Sequence, residues 1–218
     1  MKKKTLPILI TLIIIYFVLK YLIPFGNYVI YPINLLVTFM HEFGHAFFAL
    51  ITGGSIVSLE VNSDGSGLLT SSGGWRFLVL MGGYIGSAIF GNILLRIGLQ
   101  DKKNISEKIL YLLSGLIVFV AIFWFSGIVS TLILFVLALG LAGLAKYTNY
   151  DKIILQFLGV ASLLFIIEDF NVGPSSDLSK FTEIFIIIPQ SGWMIIWLIL
   201  VLMITFFNLK TIFNKKIQ

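Results

Sequence analysis

The stretch Met40-His41-Glu42-Phe43-Gly44-His45-Ala46 contains the pattern H-E-x-x-H and lies inside a long run of apolar residues. On a helix, residues four positions apart share a face, so His41 and His45 can offer two imidazole nitrogens to one metal ion. Glu42 is adjacent to His41 and can reach a water at the metal without ligating the ion. This arrangement is typical of zinc sites in which the glutamate acts as general base.

The alternative interpretation of the motif is a chance match on a buried helix. The chain contains two histidines in all, and both fall within this motif. A charged side chain such as Glu42 costs roughly 2.5–3.5 kcal/mol near the centre of a bilayer, so its presence in an apolar helix indicates a function. Both observations favour the metal site.

The composition is that of a polytopic membrane protein in a lipid bilayer. Of 218 residues, 58% are hydrophobic and 11% are charged, and the mean hydropathy is +1.03. These values exceed those of soluble globular domains. The absence of cysteine excludes disulfides and a thiolate zinc site. The net charge of +5 comes from lysines in short loops and at both ends, and it does not predict a nucleic-acid partner.

The hydropathy pattern predicts an all-α fold of about seven transmembrane helices in a single domain, residues 1–218. A short amphipathic helix is expected from Asp177, with Ser176 as its N-cap, ending before Pro189. Between the second and third helices, residues 55–71 predict a small β-hairpin, for which a glycine-rich connector is the alternative. The predicted spans are 6–22, 28–52, 76–97, two helices within 109–145 that separate near 125–127, 152–167 and 192–209.

The motif and the residues that follow it, up to Leu50-Ile51-Thr52-Gly53-Gly54, resemble the site-2 protease family of intramembrane zinc peptidases. The sequence is most similar to the compact bacterial subgroup called B-like, and Gly82-Gly83-Tyr84-Ile85-Gly86 also resembles the family at the corresponding place. The resemblance implies a multi-pass protein of the bacterial plasma membrane. It also implies cleavage of transmembrane or membrane-anchored protein segments.

A zinc site with two histidines requires a third protein ligand and leaves a fourth position for water. The chain has no other histidine and no cysteine, so the third ligand is expected to be a carboxylate. In the B-like subgroup a Ser-Asp pair after the sixth helix plays this part, and Ser176-Asp177 matches it. The Asp-Gly motif of larger site-2 proteases is missing. Asp169, at the end of the sixth helix, is therefore the alternative ligand.

The helix ends distinguish these two aspartates. Asp169 lies at a predicted helix C-terminus, where the partial negative charge of exposed carbonyls disfavours a carboxylate. Asp177 lies at a predicted helix start, where the partial positive charge favours one. We therefore predict Asp177 as the third ligand, with an ordinary helix-start aspartate as the alternative interpretation.

The predicted hairpin and the third helix supply the candidates for substrate binding. A substrate helix has to unwind before its peptide bonds can be cleaved, and its freed backbone groups then need partners. The predicted strand 56–61, with Ile56 and Leu59, is expected to provide them by strand addition. Asn92 is a polar residue of the third helix, for which an ordinary interhelical hydrogen bond is the alternative role.

The sequence thus predicts an intramembrane metalloendopeptidase in which Zn²⁺ activates water and Glu42 transfers the proton. One alternative is a non-catalytic, zinc-containing membrane scaffold, although such a site would not need Glu42. The other is a small transporter for protons or metal ions, which would show ion flux without peptide cleavage.

Two signals disagree on the orientation of the chain in the membrane. Lysine and arginine are more numerous on the face opposite to the site, and the positive-inside rule would then place the site outside the cell. The Lys2-Lys3-Lys4 terminus and the family resemblance favour a cytoplasmic site instead, and we follow the resemblance.

Overall fold

The computed structural model describes residues 2–100, 103–168 and 176–214, and these form eight α-helices and one two-stranded sheet. The predicted all-helical fold with a hairpin after the second helix is confirmed. The elements are α1 (Lys2–Phe17, continued by a π-helical turn, Val18–Leu22), α2 (Gly26–Ile51), β1 (Ser55–Val61), β2 (Gly67–Ser72), α3 (Arg76–Gly98), α4 (Lys103–Phe123), α5 (Ile128–Tyr147), α6 (Asp151–Glu168), α7 (Asp177–Ile184) and α8 (Gln190–Asn214).

Six helical segments in the described ranges are long and apolar enough to cross a membrane. The predicted sixth helix is present as α6, but it is not among these six. Its 18 residues include Asp151, Lys152 and Glu168 near its ends. The six segments are Thr5–Leu22, Gly26–Ile51, Arg76–Gly98, Asn104–Phe123, Ile128–Tyr147 and Gln190–Asn214.

Glycines bring the backbones of α2 and α3 into direct contact. A Cβ added at Gly86 would lie 2.6 Å from Cα of Gly44, and one at Gly82 would lie 2.9 Å from the Gly44 carbonyl oxygen. Such close approach compensates for the missing hydrophobic drive between helices in lipid. This contact fixes α3 directly against the motif-bearing face of α2.

A second face of α3 packs against α6, again through small residues. A Cβ at Gly91 would lie 2.9 Å from Cβ of Ser162 and 3.1 Å from the carbonyl oxygen of Gly159. α3 therefore lies between α2 and α6 and contacts α8 as well.

The hairpin is antiparallel, with Leu59 opposite Leu69 and Val61 opposite Gly67. The outer edge of β1 is already covered, since the N–H of Leu59 donates to the carbonyl of Trp124 (3.0 Å) and that of Val61 to Oγ of Ser130 (2.9 Å). Leu59 and Val61 are also fully buried.

The hairpin turn is tied down to α2. Oγ1 of Thr38 donates to the Gly65 carbonyl (2.8 Å), and the hydroxyl of Tyr31 donates to the Ser63 carbonyl (2.6 Å). These bonds hold the hairpin over the middle of α2, one helical turn from Glu42.

Candidate metal centre

The two motif histidines converge on one point inside the protein. His41 and His45 are 6% and 5% exposed, and their Nε2 atoms are 3.2 Å apart. Nδ1 of His45 lies 2.6 Å from the carbonyl oxygen of Val79. A carbonyl can only accept, so Nδ1 carries the proton and Nε2 presents its lone pair to the centre. The Tyr84 ring meets His41 edge-on, with 4.9 Å between ring centroids, and fixes that imidazole from the side.

Asp177 completes the cluster from a distant part of the chain. Its Oδ2 lies 3.0 Å from Nε2 of His45 and 3.3 Å from Nε2 of His41. Burial opposes ionisation of Asp177, but positive charge on His45 and His41 outweighs that effect and holds the pKa of the carboxyl below its usual range. A metal ion held there would supply this positive charge when the imidazoles are neutral. The alternative ligand, Asp169, lies outside the described residues.

The spacing of these three groups fits a zinc ion. Ligands arranged tetrahedrally at about 2.0–2.1 Å from zinc lie about 3.3 Å from one another. The nitrogen and oxygen atoms of His41, His45 and Asp177 are 3.0–3.3 Å apart. Two neutral imidazoles and one carboxylate, with room left for water, are a donor set that catalytic zinc sites use. These three residues could therefore hold the ion.

Helix α7 positions Asp177 through its cap and its apolar side. Oγ of Ser176 accepts a hydrogen bond from the N–H of Ser179 (3.1 Å), as predicted for an N-cap. Leu178 and Phe181 are fully buried, and Phe181 meets Trp197 of α8 edge-on, with 5.0 Å between ring centroids. The short helix is thereby anchored against α8 with its first residue facing α2.

The side chain of Glu42 extends from α2 toward the hairpin. It is 7% exposed, and the backbone of Leu69 is within hydrogen-bonding reach of its carboxylate. Leu59 and Leu69 lie directly opposite each other, and the N–H of Leu59 points out of the hairpin. In an antiparallel pair, the N–H of the opposite residue then points outward as well, so the N–H of Leu69 is directed away from β1. Gly67 lies so close that a Cβ there would be 2.6 Å from Cγ of Glu42. Strand β2 therefore orients the predicted general base.

A cavity of about 1000 Å³ leads to this cluster. The metal-ligand candidates and Glu42 line it together with residues 67–71 of β2. It holds both the predicted catalytic groups and a strand edge, so an extended peptide can lie in it.

The three predicted substrate-binding residues are not among those that line this cavity. Ile56 is half-buried on β1, and Leu59 is buried on the same strand with its N–H bonded to Trp124. Asn92 donates to the Ala88 carbonyl (2.8 Å) and Oγ1 of Thr205 (3.1 Å), and its Oδ1 accepts from Nδ2 of Asn208 (2.8 Å). It therefore makes the interhelical hydrogen bonds that were its alternative role.

Sequence reasoning missed the strand that faces the cavity, which is β2. The turn residues predicted the hairpin. The alternation of apolar residues is similar in both strands, so it did not indicate which strand would face the cavity. The only local signal was Gly67, a glycine where β2 begins, since glycine in a strand often marks a close approach of other groups.

Comparison with known protein families gives a match over most of the chain. A family model described as Peptidase M50B-like matches residues 8–208, a range that contains His41, Glu42, His45 and Asp177. Neither the curated proteins nor the solved structures contain a match to this chain.

Proposed function

Because the chain belongs to the Peptidase M50B-like family, which is the site-2 protease family, we propose that this multi-pass membrane protein is a zinc endopeptidase. Its substrates would be transmembrane or membrane-anchored protein segments, cleaved by a single domain formed by residues 1–218. The convergence of His41, His45 and Asp177 beside Glu42 is the observation that carries the proposal. The similarity to the compact bacterial subgroup supports a location in the bacterial plasma membrane.

His41, His45 and Asp177 are proposed to hold the metal ion. A zinc ion held there would supply Lewis-acid activation of water, lowering the pKa of that water to about 7. Val79 contributes by fixing the His45 tautomer through its carbonyl, since partners of this kind orient the ligands of metal sites.

Glu42 is proposed to be the general base and then the general acid. It would accept the proton of the attacking water and return it to the leaving amine of the cleaved peptide bond. The carboxylate is buried and lies against the Leu69 backbone, so it is held in one place while the proton moves.

The substrate is proposed to lie along β2, which changes the expectation from the sequence. The N–H groups of β1 that face outward already bond to Trp124 and Ser130, so this edge is not available for strand addition. The outer edge of β2 faces the cavity instead; its Leu69 N–H is directed to Glu42, and Ser71 lies two residues further along the same edge. An unwound substrate segment could pair there and place a peptide carbonyl next to Glu42.

Metal analysis combined with a proteomic comparison tests the proposal. Purified protein is expected to hold about one zinc per chain. The variants His41→Ala, His45→Ala and Asp177→Asn should lose it, whereas Glu42→Gln should retain zinc and lose cleavage. Asp169→Asn is the matched control for Asp177→Asn and should retain zinc.

Cells that express wild-type protein should contain cleaved membrane-protein fragments that are missing from cells expressing Glu42→Gln. Full activity of Glu42→Gln would overturn the general-base role. A zinc-containing wild-type protein without any Glu42-dependent fragment would favour the scaffold. Ion flux in proteoliposomes without cleavage would favour the transporter.

A further inference from the structure

Two cations line the same cavity as the metal-ligand candidates. Arg76 is the first residue of α3 and is exposed, and Lys180 lies one helical turn after Asp177 on α7. α3 and α7 pack against each other, and the rings of the residues that follow the two cations, Phe77 and Phe181, have centroids 5.3 Å apart. The backbone positions of both cations are therefore close together. Neither takes part in the metal cluster or in the proposed proton transfer.

The charges of these two residues are not balanced within the described part of the chain. The carboxylates that line the cavity there are Glu42 and Asp177, and both belong to the catalytic cluster. The ion pair found in residues 2–100, 103–168 and 176–214 joins Lys20 to Glu168, and Asp177 contacts the two histidines. Neither Arg76 nor Lys180 pairs with a carboxylate in these ranges.

The positions of the cations on their helices increase the positive potential. Arg76 opens α3, and Lys180 lies in the first half of α7. Helix starts carry partial positive charge, so a cation is electrostatically disfavoured at either place. An anionic group bound in the cavity would offset this unfavourable electrostatic interaction.

Strand β2 runs from the catalytic glutamate toward these cations. Its Gly67 end lies against Glu42, and its Ser72 end leads through Gly73, Gly74 and Trp75 directly to Arg76. A substrate strand that pairs with β2 advances about 3.3 Å per residue. A side chain about two to five residues from the scissile bond would therefore reach the Arg76 side of the cavity.

We propose that Arg76 and Lys180 bind an acidic side chain of the substrate, about two to five residues from the scissile bond, and so select acidic cleavage sites. This inference rests on the proposed protease function. A carboxylate entering between the two cations would form charge-assisted hydrogen bonds and would be bidentate with the arginine.

The placement of the cations favours a peptide over a lipid headgroup. Interfacial arginine and lysine on a lipid-facing surface commonly pair with phosphate. Arg76 and Lys180 instead share one cavity with β2 and the metal-ligand candidates. The same cavity would hold the substrate backbone, so an acidic residue of that substrate is the anion brought to them.

Binding to a non-cleaving protein tests the inference separately from catalysis. The probes are fluorescently labelled apolar peptides in matched triplets, which carry Glu, Gln or Lys at one position that is moved along the peptide. Their dissociation constants are measured by anisotropy with full-length, zinc-loaded Glu42→Gln protein in detergent and in vesicles of zwitterionic lipid. The Glu peptide is expected to bind about tenfold more tightly than the Gln peptide at one or two positions.

Charge variants of the same protein supply the controls. Arg76→Gln and Lys180→Gln should each reduce the preference for Glu, and the double variant Arg76→Glu/Lys180→Glu should shift it to the Lys peptide. Arg96→Gln changes the arginine at the other end of α3, which does not line the cavity, and should leave the preference unchanged.

Three results would overturn the inference. One is equal binding of the Glu and Gln peptides at every position. Another is an equal loss of affinity for all three peptides in the charge variants, which would indicate a structural role. The third is a preference that appears only as binding to vesicles with anionic lipid, which would assign the cations to a headgroup. Cleavage of the same peptides by wild-type protein is measured in parallel, and its absence would contradict the protease function without affecting the binding result.

Discussion

Gly67→Ala should separate metal binding from catalysis. An alanine Cβ at this position would lie 2.6 Å from Cγ of Glu42, 2.7 Å from its Oε1 and 2.8 Å from Cγ2 of Thr38. Ordinary van der Waals contact begins at 3.4 Å, so Cγ of Glu42 and the hairpin must separate by about 0.8 Å. The histidines and Asp177 are not among the three atoms closest to this Cβ.

The required movement cannot occur without disturbing the proposed general base. Glu42 is buried, and the hairpin turn is held to α2 by the Thr38–Gly65 hydrogen bond of 2.8 Å. If Glu42 yields, its carboxylate is displaced. If the hairpin yields, the Leu69 backbone moves away from that carboxylate. A displacement of about 1 Å in a catalytic group costs on the order of 100-fold in rate, within the 10²–10⁴-fold that a general base contributes.

We therefore expect Gly67→Ala to retain about one zinc per chain and to cleave about 100-fold more slowly. Zinc is measured by elemental analysis of purified protein, and cleavage by the amount of Glu42-dependent fragment formed over time. Gly115→Ala is the matched control, because no heavy atom lies within 4 Å of a Cβ added there. Wild-type cleavage by Gly67→Ala would refute the contact between hairpin and base. Loss of zinc would show that the hairpin acts on the histidines instead.

Three other substitutions test separate parts of the structure. Gly83→Ala would place a methyl group against Nε2 of both His41 and His45, and it should weaken zinc binding by at least about 100-fold in a competition titration; wild-type affinity would contradict the site geometry. Leu69→Pro removes the N–H that is directed to Glu42 and should lower cleavage at unchanged zinc content, whereas unchanged cleavage would show that this N–H does not hold the general base. Glu168→Gln removes the charge that pairs with Lys20 and accepts from the hydroxyls of Tyr16 (2.7 Å) and Tyr21 (2.9 Å). It should lower the free energy of unfolding by about 1–2 kcal/mol in thermal melts, with zinc content unchanged; an unaltered melting temperature would show that this cluster does not hold α1 to α6.

The helices were predictable because a bilayer leaves few alternatives to a helix for an apolar segment. All backbone groups must be bonded within the segment, so a long apolar run predicts a helix. The prediction of 28–52 for the second helix is close to the observed Gly26–Ile51, and the predicted break near 125–127 lies between α4 and α5. The Ser176 cap was predictable for a different reason, because helix capping depends on the local sequence.

The free edge of the hairpin was not predictable, because it depends on a contact remote in sequence. Leu59 bonds to the carbonyl of Trp124, which lies in the α4–α5 connection, and Val61 bonds to Ser130 at the start of α5. No local pattern in 55–72 reports those partners. The sequence of α3 did not predict that α2 and α6 would pack on adjacent faces of this helix.

Each part of the candidate site is fixed by a different set of contacts, and this separation has a physical consequence. The glycine contact between α2 and α3 sets the place of the histidines, because Gly83 lies directly against both imidazoles. The burial of Leu178 and Phe181 sets the place of Asp177, which is 132 residues from His45 in the chain. The hairpin, tied to α2 through Thr38, sets the place of Glu42. A distortion of α7 or of the α2–α3 contact therefore changes metal affinity, whereas a distortion of the hairpin changes proton transfer at constant metal content.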